Sequence, residues 1–288
     1  MAHALTPQQL EQALQGISVP PQPQILVDLQ MELYLPGPDL KAIGKLITLD
    51  PGLSGAVLKV ANSAPFGLPE PTASIAQAAE LLGADVVIAL INAQSIKGEM
   101  ADETIVTLNR FWDDAQDVAS ACAAIARHLR TVAMDEAYLA GLLHDCGVPL
   151  MLMRFPGYMQ TLETAYAVAE QGLRIVDTEN QAFNTNHAVV GYYAVKAWRL
   201  PTSVCMAIAG HHNAQALMSD ERGQHSAQKD LLAVLKMAEH ISASHHRVGD
   251  QHRDHEWNRV GELVLDYVGL SEYDFDNLKE TLRESGAR

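Results

Sequence analysis

The chain has 288 residues, 48% of them hydrophobic, enough for a sizeable core in one large domain or two modest ones. Acidic residues outnumber basic ones 35 to 20, a formal net charge of -15. Such a chain has no cationic surplus to release counterions from nucleic acid or to hold an anionic membrane, so neither is expected as a partner. The first residues, MAHALTPQQLEQALQG, carry no basic flank and no long apolar core, so no signal peptide is expected. The apolar run VVIALI at 86–91 is too short to span a bilayer. Three cysteines sit in apolar segments; Cys122 and Cys205 read as small buried hydrophobes, and Cys146 follows a His-Asp pair. The expectation is a reduced, cytoplasmic protein.

In chain order the periodicity is helical. Asp50-Pro51 is a helix start, an N-cap acceptor followed by proline, and Leu53, Val57 and Val60 recur behind it at helical spacing. SIAQAAELLG at 74–83 reads as a complete unit: Ser74 and Gln77 form a capping box, Ile75, Ala78, Ala79 and Leu82 one stripe, and Gly83 the end. A second helix starts at Asp85 and carries Val87, Leu90 and Ile91. Val118, Cys122, Ile125 and Leu129 mark the next stripe. Asp135 can cap a helix with Leu139, Leu142 and Leu143 that Gly147 closes. Asn186 caps one ending near Leu200-Pro201, and Pro201 starts another. RIVDT at 174–178 is the one weak strand candidate, and SDERGQHSAQKD at 219–230 is the most loop-like stretch. C-terminal helices are expected at 231–243 and 257–287. The sum is an all-α protein of roughly a dozen helices, one compact domain whose two lobes are expected to meet near residue 100.

The ionisable groups on or beside apolar stripes are Asp114, His144, Asp145, His187, His211, His212 and Glu239. His144 and Asp145 are about 100° apart on a helix, so both can lean toward one point, in a last turn whose dipole favours a cation. Imidazole with carboxylate suits zinc, iron or manganese, with other helices supplying the remaining ligands. Each residue also has a plainer reading. His144 and Asp145 can be hydrogen-bonded core residues, His187 a first-turn surface residue, and His211-His212 a helix end that favours protonated imidazole. Glu239 shares a face with Leu232 and Leu235, where a glutamate needs a partner. His128 and the cluster His245, His246, His252 and His255 read as solvated.

Together these segments resemble a known family. GLLHDCG at 141–147 is similar to the His-Asp signature of the HD superfamily of metal-dependent phosphohydrolases. LDPGLSGAVLKVANSAPFG at 49–67, SIAQAAELLG, FWDDAQDVA, YLAGLLHDCG, HAVVGYYAVKAWRLP and AIAGHH follow the order and spacing of its HDOD (HD-related output) branch in bacterial signalling proteins. The resemblance runs from about residue 15 to 245. It implies an HD-domain-like helical bundle with an N-terminal helical lobe (about 1–100), an HD-like lobe (about 101–245) and a C-terminal helical extension over 246–288. It also implies regulatory output in signal transduction, by analogy in motility, biofilm or second-messenger pathways.

The departures bear on catalysis. The superfamily's first metal histidine falls here on Asp114, after Phe111-Trp112, and its last aspartate on Glu239. Where active members continue with a lysine that can neutralise phosphate charge, this chain has Val148. Asn184 and Asn186 replace a glycine and an aspartate before His187. The ligand set implied by the resemblance is His144, Asp145, His187, His211, Asp114 and Glu239, able to hold a divalent metal (iron, manganese or zinc) but lacking the cation beside it. Three readings follow: a non-catalytic signalling module working through a protein partner, a phosphohydrolase acting on a nucleotide or cyclic dinucleotide, or a metal used as a structural clip.

Overall fold

The computed structural model describes residues 14–17, 28, 31, 40–48, 51–66, 71–98, 100, 108–220, 226–247 and 250–284, and the fold is given for these. Among them are fifteen α-helices, three short 3-10 helices and no strand. The N-terminal group is α1 (Leu40–Thr48), α2 (Pro51–Ala61) and α3 (Ile75–Gly98), packed on one another. Pro51 opens α2 as expected; Asp50 lies outside the described residues. Helix α3 is broken at Gly83, whose φ of 77° is open to glycine and strained for other residues, so two helices meet there as the pattern predicted. Its stretch Ile75–Gln94 is long and apolar enough to span a membrane by composition, yet its most apolar window is 56% buried inside the protein.

The remainder begins with α4 (Asn109–Leu129), α5 (Met134–Leu143), α6 (Gly147–Arg154), α7 (Tyr158–Val168) and α8 (Ile175–Phe183). It continues with α9 (His187–Ala197), α10 (Thr202–Gly210), α11 (Ala214–Met218) and α12 (Ala227–Ser242). The chain ends with α13 (Ser244–Arg247), α14 (Trp257–Val268) and α15 (Glu272–Glu284). Helix α3 joins the two parts by packing on α5. Helix α12 is the axis: Leu231, Leu232, Ala233, Val234, Leu235, Met237 and Ala238 are all buried, an apolar surface on every side that only a central helix can hide. It contacts α4, α5, α10 and α14.

Several local expectations are corrected. At 74–83 only half of the capping box forms: Gln77 N–H donates to Ser74 Oγ (3.3 Å), while the Gln77 side chain accepts from the Thr72 hydroxyl. Asp135 sits inside the first turn of α5, where it accepts from Glu136 N–H, and Ala133 is the cap residue. Gly147 opens α6 instead of closing α5. A Cβ there would fall 2.0 Å from the His187 carbonyl oxygen, so glycine is required by close backbone approach. RIVDT opens a helix instead of a strand: Arg174 is its extended cap residue, and Asp177 accepts from the Arg174 backbone N–H at the start of α8. Ser226 caps α12 by accepting from Lys229 N–H, so 227–230 belong to the helix and not to a loop. The helix expected over 257–287 is two helices, divided at 269–271.

Candidate metal centre

His144 and Asp145 fall in the short turn between α5 and α6, with both side chains turned inward and 2% and 5% exposed. His187 opens α9, held there by Asn186, which accepts from Val189 N–H (2.9 Å). His211 and His212 leave the end of α10 in a 3-10 turn. Four ligand-type atoms, from Asp145, His187, His211 and His212, lie within 4.8 Å of one another, and all four residues are buried.

The central atom is Asp145 Oδ1, 3.3 Å from His187 Nε2 and 3.3 Å from His211 Nε2; those two nitrogens are themselves 3.3 Å apart. Asp145 Oδ1 is buried and receives no aligned hydrogen bond, and neither does His212 Nε2. An orphaned carboxylate oxygen facing two imidazole nitrogens at this spacing fits a divalent ion. Ligands about 2.0–2.1 Å from a tetrahedral zinc would stand about 3.3 Å apart. The rings are held for this from behind. His211 Nδ1 is 2.7 Å from the Ile208 carbonyl and His144 Nδ1 is 2.8 Å from the Gly141 carbonyl. His187 Nδ1 is 2.7 Å from Glu179 Oε2, and the Tyr158 hydroxyl donates to the other Glu179 oxygen at 2.5 Å. Each Nδ1 contact leaves Nε2 directed at the cluster, as metal-ligating histidines require.

His144 continues the cluster outward. Its Nε2 is 3.3 Å from Asp145 Oδ2 and 3.8 Å from Glu239 Oε1. Glu239 also accepts from Lys236 Nζ at 2.6 Å, and Lys236 reaches Glu256 at 3.1 Å. Glu256, just before α14, contacts His212 Nδ1 at 3.0 Å. Asp114 is buried on α4 and stands outside the four-residue group. Its charge still acts on Tyr166, whose phenol is pushed up by burial first and then by Asp145, Glu239, Glu256 and Asp114.

The electrostatics ask for positive charge here. Burial lowers the His144 pKa, but Asp145 and Glu239 outweigh it and raise it to about 9. Burial, opposed by Lys236 and His144 and aided by Glu256, pushes Glu239 up to about 7. Burial and the neighbouring His212 keep His211 well below the usual imidazole range, in the neutral form that a metal ligand needs. Burial opposes ionisation of Glu256, yet Lys236 and His212 hold its carboxyl below its ordinary range.

Four of these residues lie outside the ligand set that the resemblance implies. His212 is a candidate in the sequence, set aside there as a helix end. Glu179 gave no signal, standing eight residues before His187 and one residue past the weak strand candidate at 174–178. Glu256 lay in a polar stretch. Lys236 was legible in principle, as a lysine inside the apolar run LLAVLKMAEH three residues before Glu239. It supplies beside the cluster the cation that Val148, buried in the core, does not. Of the four histidines read as solvated, His246 and His252 are exposed, whereas His245 and His255 are partly buried. His245 lies 3.6 Å from Asp254. His128 is exposed, and all three cysteines are buried thiols.

Beside the cluster is a cavity of about 30 Å³, lined by His144, Tyr166, Lys236, Glu239, Arg253 and Glu256 among others. It has room for a water or two and not for a nucleotide. A separate open cleft of about 400 Å³ has Arg174, Asn213 and Arg259 in its walls, together with His212 and Glu256.

Comparison with known proteins agrees with this architecture. The HDOD domain family model matches residues 19–214. A protein of Treponema pallidum (strain Nichols) with no described function is 26% identical over 196 residues, 68% of this chain. The match spans 38% of that relative's length. The crystal structure of an HDOD domain protein of unknown function from Geobacter sulfurreducens aligns with a TM-score of 0.62 at 22% identity, over 96% of this chain and 94% of that one. A Shewanella amazonensis SB2B protein, provisionally named a phosphohydrolase, aligns with a TM-score of 0.62 at 23% identity, over 96% and 94%. A Marinobacter aquaeolei VT8 protein, provisionally named a signal transduction protein, gives 0.62 at 17% over 97% and 63%. At these identities the structural likeness shows the fold.

Proposed function

Taking as premise that the chain belongs to the HDOD domain family, we propose that it is a regulatory output module of bacterial signal transduction. It acts in the cytoplasm through contacts with a protein partner, and its His-Asp cluster serves as a metal-clipped scaffold. One observation carries this reading: the cluster is buried. His144, Asp145, His187, His211 and His212 are all buried, and the Lys236–Glu239–Glu256 ion pairs lie over them beside a cavity of about 30 Å³. Asp145, His187 and His211 would hold the ion, with His144, His212 and Glu239 next to it and Asp114 farther out. Bound there, a divalent metal supplies Lewis acidity in principle, but here it would chiefly tie α9, α10 and the α5–α6 turn together. Three buried thiols fit a reducing compartment.

A second reading is a phosphohydrolase acting on a nucleotide or cyclic dinucleotide. Two observations favour it: Lys236 provides a cation beside the cluster, and the 400 Å³ cleft is lined in part by His212 and Glu256. The two readings separate in one experiment. Protein supplied with iron, manganese or zinc is assayed on bis(p-nitrophenyl) phosphate and on cyclic dinucleotides beside a His144→Ala variant. The output module predicts no turnover above that of the variant, and a variant that still restores signalling in a deletion strain. Turnover lost on His144→Ala would instead establish the enzyme.

A further inference from the structure

Two sets of ligand-type atoms share Asp145. The inner set is Asp145 Oδ1 with His187 Nε2 and His211 Nε2. The outer set is His144 Nε2, Asp145 Oδ2 and Glu239 Oε1, an imidazole and two carboxylates, with the Glu256 carboxylate nearby through Lys236. By donor chemistry the outer set is a second cation site. A cation already stands beside it, covalently attached to the chain and held on the far oxygen of Glu239. Lys236 Nζ lies 2.6 Å from Glu239 Oε2 and 3.1 Å from Glu256 Oε2, on a side chain only 2% exposed. Its stem leaves a central helix, between Leu235 and Met237 at 0% exposure.

We propose that Lys236 supplies the charge of a second metal ion from beside the outer set, so that the cluster takes one divalent cation in its inner set and excludes another from its outer set. The ammonium satisfies Glu239 through the oxygen that does not face His144, and it draws in Glu256 from the segment before α14 as a second counter-charge. An ammonium cannot ligate, and at this burial it repels a divalent ion brought to the same carboxylates. The outer set therefore keeps its negative charge balanced without a metal. The inference rests on the inner set's being able to hold metal, as proposed above, but its test is a difference between variants.

The full-length chain is equilibrated with manganese, dialysed, and analysed for metal per chain, with electron paramagnetic resonance to distinguish isolated from exchange-coupled ions. Wild type is expected to hold one uncoupled ion. Lys236→Met, which keeps length and removes charge, is expected to hold one ion more, with a coupled signal. The double variant Lys236→Met/Glu256→Gln removes one charge of each sign and guards against loss of folding; it is also expected to gain an ion. Two coupled ions in wild type would overturn the proposal, as would folded variants that bind no more than wild type. If wild type binds none and the variants bind one, the metal-clip reading falls while the role of Lys236 stands.

Discussion

His187 Nδ1 lies 2.7 Å from Glu179 Oε2 with both side chains enclosed, 1% and 0% exposed. This contact fixes the ring so that Nε2 faces Asp145 and His211, and Tyr158 fixes Glu179 in turn. Glu179→Gln keeps the shape but lets the ring flip or change tautomer, so metal affinity is expected to fall about 10–100-fold. Tyr158→Phe leaves the His187 contact and should cost less. Competition titration against a chromophoric chelator measures both; an affinity unchanged in Glu179→Gln would show that the carboxylate does not orient the ring.

A clip between helices stabilises the fold by mass action. With free metal about 100-fold above Kd, the gain is about 2.7 kcal/mol, or roughly 5–10 °C in Tm at the ~2–4 °C per kcal/mol of a large domain. Chelation should remove that increment from wild type and leave His211→Ala unmoved, as read by thermal unfolding monitored by circular dichroism.

Asp254 ties the segment before α14 to α12: its Oδ2 is 2.9 Å from His240 Nδ1, and its Oδ1 accepts from Trp257 N–H. Burial raises its pKa, but these hydrogen bonds and the charges of His240 and His245 outweigh it and lower the value below 3.8. A depressed folded pKa contributes stability above the unfolded value, about 3.9, and that stability is lost as pH falls through the folded one. Asp254→Asn should therefore cost about 1–3 kcal/mol at neutral pH, with the gap from wild type narrowing below about pH 4. Urea unfolding at a series of pH values tests the sign.

Gly147 meets the His187 backbone, where a Cβ would stand 2.0 Å from a carbonyl oxygen that cannot rotate away. Gly147→Ala must push α6 from α9 and is expected to cost about 3 kcal/mol or more. The measurement is the denaturation midpoint, and a loss under about 1 kcal/mol would mean that the backbones are not in contact.

Much of the helical fold was legible because period and punctuation are local. The stripe through Leu53, Val57 and Val60 and the break at Gly83 needed no distant information, and neither did the Asn186 cap. Arg174–Thr178 misled because five residues cannot show a helical period, and its start depends on a hydrogen bond from the Arg174 N–H to the Asp177 carboxylate.

The candidate site divides along the same line. By itself the sequence determined an all-α chain with histidines and an aspartate placed at helix ends, since a helix end is written within a few residues. Tertiary structure alone decided that Glu179 stands behind His187, that His212 joins the cluster, and that Lys236 and Glu256 pair over it, 20 residues apart in the chain. The physical reason is that hydrophobic spacing tells which face of a helix is buried, never which other helix buries it. Whether a buried charge is neutralised depends on that second helix.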